Sequence, residues 1–577
     1  MTPSTPRFRL PDRAVPWLAP GAVVAFYGVM AWRHRWLHED GLINLRVVEN
    51  LFAGRGLGYN AGERVEAFTS PAQIALVALG RVLTFGQVPL AQEVLIVGVL
   101  ASVTGLLLVV RGSMHLWGAD EPGRTAIPLG VLVFAAVPLT WDFATSGHEG
   151  SVGFLWIGMC WFGLARRQRD RSLDLAQPVD RPRWLLMAIG SGALVRPEFS
   201  LFTVSFVVWW FWCNRGASGS RIRAAAWMFG PVVAYQIFRM GYYGLLVPNT
   251  ALAKLGGPLG TSAGLYYVGA FVSPFELWLP LLLLACALGF LVADASRGQA
   301  VLVAALMVPA VANVAYLISI GGDYVNGRLL VVPFLALVAP VAVVPRSFLR
   351  WPNGRVALPR VAGIAIVALW AIVCAAVLRP PWQITSKTFL DPRYDAREVA
   401  IRKWVGHPPR SISDYGNSFL AGPYRALIKQ YGPAGGDVLV VDDPFLGQAV
   451  LLPRGSGPVI ASTTIGALGV VSGTDVRIVD RLALADPVAS HLPVSGTTAG
   501  HLRELTVPWV YARVGVVADR PSAEAARAMR CGALHRVLVD TTGRLTVGRF
   551  LTNLVDAPAN TTLHVPLDPD EAVRAFC

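Results

Sequence analysis

Charge is what this sequence has least of. Only 15% of its 577 residues are Asp, Glu, Lys or Arg, where a soluble protein carries about 25%. A water-soluble globule of this length is thereby excluded. Hydrophobic residues make up 54% and the mean hydropathy is +0.51. With repeated apolar runs of about 20 residues, the chain is expected to cross a bilayer many times as helices. Signatures of soluble cofactor chemistry are missing too. There is no zinc-type Cys/His spacing, no P-loop and no G-x-S-x-G elbow. Gly54-Arg55-Gly56-Leu57-Gly58 is not placed between a strand and a helix, which excludes a dinucleotide fold.

Acidic residues are the scarcer sign, 36 against 50 basic ones, leaving a net charge of +14. The excess does not point to nucleic acid, because the arginines gather in short segments beside apolar runs. They are Arg7, Arg9 and Arg13; Arg166, Arg167, Arg169 and Arg171; Arg181 and Arg183; Arg215, Arg221 and Arg223; and Arg346, Arg350, Arg355 and Arg360. Such clusters belong on the cytoplasmic side. Cysteines number six. Cys160, Cys213, Cys286 and Cys374 lie in or beside apolar runs and suit packing. Cys531 and Cys577 lie in a polar region, where a disulfide forms if the compartment is oxidising and two free thiols are the alternative.

About eleven spans are expected, near 14–32, 87–110, 125–141, 149–165, 184–197, 198–213, 224–243, 275–294, 299–319, 329–345 and 359–378. The first lacks an A-x-A cleavage site and reads as a retained helix. Residues 71–86 are assigned to a helix lying in the interface, since counting them as a span would put the clusters at 166–183 and 215–223 on the same side as the 38–70 loop. Five polar motifs then share the outer face: His38-Glu39-Asp40-Gly41, Ser146-Gly147-His148-Glu149, Arg196-Pro197-Glu198, the segment after Tyr242, and GGDYVNGR at 321–328. From about Gln383 the apolar runs shorten to strand length. The expected organisation is a polytopic α-helical membrane domain, 1–380, with an outer catalytic loop at 33–86, followed by a mixed α/β or β-rich outer domain, 381–577.

The stretch from His38 to Pro71 is the candidate centre of chemistry. Glu39 and Asp40 stand where the first apolar run ends, and Leu42, Leu45, Val48 and Phe52 recur at helical spacing. The bland alternative is that Asp40 merely caps that helix. Glu63, Arg64 and Glu66 return towards the bilayer. Arg239 and Lys254, with Tyr243 and Asn249 between them, suit a lipid phosphate at the interface; the alternative is an aromatic belt with snorkelling cations. Asp323 with Arg328, and Arg196 with Glu198, read either as ion pairs fixing turns or as parts of a sugar and phosphate pocket. His148 and Glu149 complete the outer set. With no nucleotide site, an activated donor on the outer face is expected to be a polyprenyl-phosphate sugar.

These motifs in this order, HEDGLINLRVVEN…NAGERVEAFTSP, Arg-Pro-Glu, Tyr-Tyr-Gly…Pro-Asn-Thr…Ala-Lys and Gly-Gly-Asp…Gly-Arg, resemble the GT-C glycosyltransferases. They are especially similar to the actinobacterial terminal β-(1→2) arabinofuranosyltransferases of cell-wall arabinan. The resemblance continues through RIVDRLALADPVASHLP, GHLRELTVPWVYAR and Cys531…Cys577, though Glu39 replaces the family's usual second aspartate. It implies transfer of arabinofuranose from decaprenyl-phosphoryl-arabinofuranose to arabinan ends of arabinogalactan and lipoarabinomannan. The enzyme is then a multi-pass plasma-membrane protein, expected as a monomer, with its site on the periplasmic face. In that reading Asp40 is the base, and Glu39 assists or joins Asp40 in holding a divalent ion (Mg, Mn or Ca). Arg239, Lys254 and Arg328 neutralise the leaving phosphate, and Asp480, His501 and Trp509 contact the acceptor. A β-linked donor and product would mean retention, which one base in a single in-line attack does not give. The competing readings are another polyprenyl-phosphate glycosyltransferase, such as a mannosyltransferase, and a non-enzymatic lipid-sugar transporter or envelope scaffold.

Overall fold

The computed structural model describes residues 15–119, 125–172, 182–214, 218–254, 256, 260–383, 391–418, 420–431, 437–441, 448–452, 455–496 and 500–577. Arg7, Arg9, Arg13, Arg181 and Arg215 lie outside these. The chain is helix-rich, as an apolar sequence that must pair its own backbone in lipid requires. Among the described residues four helices are long and apolar enough to cross a bilayer: Val15–Arg33, Leu90–Trp117, Arg297–Ser319 and Leu358–Ala376. A fifth span is possible by length if Thr261–Phe275 and Trp278–Ala293, bent by 91°, count as one.

Several of the eleven expected spans are divided instead. Residues 125–141 contain β1 (Ala126–Pro128) and the short helices Gly130–Ala136 and Pro138–Asp142. Residues 184–197 fall into Arg183–Gly190 and Gly192–Val195, and 329–345 contain only Val331–Val338 as α-helix. At about 1.5 Å per residue these pieces are too short for a hydrocarbon core of about 30 Å. Prolines and glycines at the joints are the local cause. The Pro71–Leu83 helix has 13 residues and exposes Leu79, Val82 and Leu83 along one side, a shape suited to the interface.

Glycine sets the closest helix contact. Gly98, Gly105 and Gly112 repeat every seven residues down one side of Leu90–Trp117. A Cβ at Gly105 would stand 2.4 Å from the Phe154 carbonyl oxygen, and one at Gly158 2.4 Å from that of Gly105. Leu90–Trp117 and Gly150–Ser172 therefore meet backbone to backbone, as small residues allow in membrane helices. That contact fixes the Ser146–Glu149 loop at the top of the second helix.

The region after 381 is mixed α/β rather than β-rich. A four-stranded sheet runs β4-β3-β5-β6, with β3 (Val438–Val441), β4 (Gln448–Leu451), β5 (Val459–Ser462) and β6 (Arg477–Asp480). β4 is antiparallel to β3, while β3, β5 and β6 are parallel. Separately, β1 pairs antiparallel with β2 (Val343–Pro345). Helices from Val507–Arg513 to Pro569–Phe576 close the chain, and Cys531 is disulfide-bonded to Cys577. One apolar core joins Leu42, Val48 and Ile74 with Ile460, Leu468 and Ile478. The change in composition near 381 thus marks no gap in packing.

Candidate active site

Glu39–Phe52 is a helix whose N-cap is His38, not Asp40. The His38 Nδ1 accepts the Asp40 backbone N–H at 3.1 Å. The bland reading of Asp40 is corrected by this, and its carboxylate is free for other partners. Gly41 presses the helix start against the 146–147 turn, since a Cβ there would lie 2.4 Å from the Ser146 carbonyl oxygen. The His38 N–H donates to that same oxygen at 2.8 Å. Asn44 and Gln73 donate to the Gly147 carbonyl at 3.2 and 2.6 Å. These polar anchors and one glycine bring His148 beside Asp40.

The third contributor is GGDYVNGR. Gly321 and Gly322 adopt φ of 84° and 75°, a left-handed turn natural to glycine, and the chain after it brings three side chains to the Asp40 centre. The Tyr324 hydroxyl donates to Asp40 Oδ2 at 2.6 Å, and Arg328 donates to the same oxygen at 2.8 Å. The Arg328 Nε lies 2.6 Å from Asp323 Oδ2, so one guanidinium serves two carboxylates. Arg328 also donates to His148 Nε2 at 3.0 Å. That contact makes His148 an acceptor there, with its proton on Nδ1 facing Ser146 Oγ at 3.1 Å. Burial keeps the imidazole neutral, lowering His148 to about 3.

Burial alone would raise the Asp40 carboxyl, but the polar and positive groups around it outweigh that and hold it well below the usual carboxylate range. His148 Nε2, at 3.8 Å from Oδ2, is too far to donate, so Arg328 and Tyr324 are the groups that hold the anion. Burial and the neighbouring Asp40 charge push Glu39 the other way, up to about 8. Its Oε1 accepts the backbone N–H groups of Gly466 and, at 3.1 Å, Ala467. Adjacent carboxyl groups are thereby pushed in opposite directions.

A cavity of about 320 Å³ adjoins this cluster, and Arg328 and Asp323 lie in its wall. Lys254, Arg196, Thr69 and Thr250 supply polar lining, while Tyr316, Ile320 and Leu329 supply apolar surface. Arg196 is already paired with Glu149 and Glu198. Lys254 has no ion-pair partner among the described residues. Lys254 is exposed at the cavity's edge, and partial desolvation there, reinforced by the Arg328 charge, lowers its ammonium to about 8. His501 reaches the site from the C-terminal region, its ring 4.8 Å from that of Tyr324.

Other candidates are spent on architecture. Arg239 grips the fully buried Glu66 through two nitrogens at 2.6 and 3.1 Å, with Tyr235 on the same carboxylate at 2.6 Å. Arg64 donates to the carbonyls of Tyr242, Gly543 and Asp540. Glu63 binds Arg477 and Arg513 at 2.6 and 2.8 Å; against the upward push of burial, Arg513 and Arg477 draw it down to about 2. Asn249 donates to the Ala483 and Leu484 carbonyls, and Tyr243 to that of Leu57. Asp480 accepts the N–H groups of Leu482 and Ala485. Trp509 is 0% exposed and donates to Leu567, which leaves no face for a sugar. The sequence reading missed Tyr324 and His38, although both stand inside motifs it singled out.

A divalent ion at Asp40 and Glu39 does not fit this arrangement. One Glu39 oxygen is taken by two backbone N–H groups, and Asp40 Oδ2 is taken by a guanidinium. His38, Asp40 and His148 do offer ligand atoms within 4.8 Å of one another. Yet the His38 Nδ1 accepts a backbone N–H, and the His148 Nε2 accepts from Arg328. Mg and Ca also require oxygen-rich shells.

The fold and site define a membrane protein with an enclosed carboxylate–guanidinium centre beside a cationic cavity. The chain is 33% identical to a terminal β-(1→2)-arabinofuranosyltransferase of Mycobacterium tuberculosis, over 93% of this chain and 94% of that one. It is 27% identical to a protein of the same name from Corynebacterium glutamicum, over 96% and 86%. It belongs to this arabinofuranosyltransferase family. No protein-family profile matches it, and no solved structure matches it.

Proposed function

We propose that this protein transfers arabinofuranose from a polyprenyl-phosphate carrier to the non-reducing ends of cell-wall arabinan, making terminal β-(1→2) linkages at the outer face of the plasma membrane. The observation that carries the reading is an Asp40 carboxylate held by Arg328 and Tyr324 beside a cavity in which Lys254 has no ion-pair partner among the described residues. The donor's anomeric carbon–oxygen bond breaks, and its phosphate leaves with the electron pair towards Lys254 and Arg328. Positive groups at that point stabilise charge that grows in the transition state. The acceptor hydroxyl attacks the anomeric carbon from the face the phosphate leaves, within the ion pair, forms the new bond there with retention and gives its proton to Asp40.

Tyr324 and Arg328 orient the Asp40 carboxylate, and His148 is positioned to receive an Arg328 hydrogen bond throughout. Glu39 serves as a positioning residue, joining the start of its helix to Ile465–Val471. The region after 381 contributes His501 to the site and holds the 38–70 loop through Glu63 and Arg64. In this reading the protein acts as a monomer. The test is transfer by purified protein with synthetic polyprenyl-phospho-arabinofuranose and a short arabinan acceptor, followed by linkage analysis. A terminal β-(1→2) product supports the reading. Absence of product with this donor, alongside transfer from a different lipid-linked sugar, would overturn it.

A further inference from the structure

A second basic groove lies apart from the transfer site, where the first membrane helix ends. It measures about 550 Å³ and is lined by Trp32, Arg35, Ile96, His407, Arg410 and Asp414, among others. Arg35 stacks over Trp32, its guanidinium carbon 4.3 Å from the ring centroid. Partial burial and the like charge of Arg410 hold Arg35 below its ordinary value. The acid in the groove pairs with neither: Asp414 Oδ2 accepts the backbone N–H groups of Arg410 and Ser411 at 2.7 and 2.9 Å. Neither arginine has an ion-pair partner among the described residues. Two unpaired cations, in excess over the single carboxylate of Asp414, form an anion site.

The surroundings select the kind of anion. Trp32 closes Val15–Arg33, and Ile96 is in the second turn of Leu90–Trp117, so the groove opens where two packed membrane helices reach the interface. Below it, Val29 on one helix and Leu100 on the other expose 55% and 61% of their surface. Gly28 keeps the two helices close, since a Cβ there would stand 3.1 Å from Val103. Apolar surface thus continues down from the basic groove, matching a headgroup above acyl chains. A tryptophan at that level is itself an interface anchor.

We infer that the Trp32–Arg35–Arg410 groove binds the phosphate headgroup of an anionic membrane lipid, with the lipid's chains on the exposed apolar sides of Val15–Arg33 and Leu90–Trp117. The site is tied to the active centre by backbone. The Leu37 N–H donates to the Pro409 carbonyl at 2.8 Å, and the Tyr415 hydroxyl donates to that of Leu37 at 2.8 Å. Leu37 in turn stands just ahead of the His38 cap and Glu39. Occupancy of the groove holds the 407–415 segment, and through it the start of the catalytic helix.

The experiment is native mass spectrometry of the full chain released from detergent with added phosphatidylglycerol or phosphatidylcholine. Wild type is compared with the Arg35→Gln/Arg410→Gln double variant, and with Arg520→Gln/Arg527→Gln, which removes two exposed arginines elsewhere. Each groove arginine is expected to strengthen anionic-lipid binding about five-fold, so the groove variant should bind phosphatidylglycerol about twenty-five-fold more weakly. Phosphatidylcholine binding and the control variant should not change. Equal phosphatidylglycerol binding by the groove variant and wild type would overturn the proposal. Complete displacement of the lipid by roughly 10 mM inorganic phosphate would also overturn it, making the groove a free-phosphate site. If the double variant does not fold, the single variants carry the same comparison at about five-fold each.

Discussion

Arg239–Glu66 and Arg328–Asp40 are both arginine–carboxylate pairs on the loops and helix ends of one face, yet they do opposite jobs. In the first, two guanidinium nitrogens meet two carboxylate oxygens, Tyr235 adds a third donor, and Glu66 is fully buried. In the second, one nitrogen meets one oxygen, Arg328 divides itself between Asp40, Asp323 and His148, and the Asp40 side chain keeps 18% of its surface. A closed bidentate pair has no capacity left for a substrate. An open, shared pair keeps a carboxylate ionised and still offers it to one. The difference lies in valence and access, and residue type does not reveal it.

The sharpest way to break the comparison is to neutralise each acid in turn. Asp40→Asn should lower turnover about 10²- to 10⁴-fold while shifting the melting temperature little, because Arg328 still pairs with Asp323. A variant with wild-type turnover would remove Asp40 from the chemistry. Glu66→Ala should do the reverse. It strands a largely covered guanidinium and should cost up to about 3 kcal/mol of stability, read as a lowered midpoint of thermal unfolding in detergent. A stable variant with weakened donor binding would instead make Arg239 a phosphate ligand.

Lys254 sharpens the contrast further, as a cation with no ion-pair partner among the described residues. Lys254→Met should raise the donor KM about tenfold, the scale of a lost charge-assisted hydrogen bond. Its ammonium, lowered to about 8, is charged below that pH and neutral above it. kcat/KM for the donor should therefore be level below about pH 8 and fall as pH rises through it. Lys254→Arg stays charged and should extend the level region beyond about pH 9; an unchanged alkaline fall would assign it to another group. The smallest effect is expected from a chelator. With Arg328 taking the Asp40 oxygen, EDTA should leave the initial rate within about twofold, and a loss rescued by added Mg or Mn would reverse that view.

Much of the site's membership was legible before its geometry. Asp40, His148 and the Asp323–Arg328 pair lie in three separate motifs, which the arginine-rich loops led us to expect on one face. Their charges stand at helix ends beside long apolar runs, where an unpaired charge is costly and so draws notice. Trp509, Asp480, Asn249 and Arg64 were legible only as polar or aromatic residues in memorable strings. Each proved to satisfy a backbone group or fill a core, because a buried backbone carbonyl or N–H must find a partner. No local pattern distinguishes that task from binding a sugar. The expected span count is not matched by unbroken helices, for a related reason. Hydropathy reports that a run is apolar, while a break such as Gly190-Ser191-Gly192 depends on close backbone contact: a Cβ at Gly190 would meet the Met228 carbonyl.

The amino-acid sequence alone determined that this is a helical membrane protein, since hydropathy is local and additive along the chain. It also determined its family, through motifs in fixed order. Only the tertiary structure decided which carboxylates stay open and which are sealed. Asp40 and Glu39 are neighbours in sequence, but one faces Tyr324 and Arg328 and the other faces Gly466 and Ala467. Their availability follows from partners 284 or more residues away, and only folding brings those partners into contact.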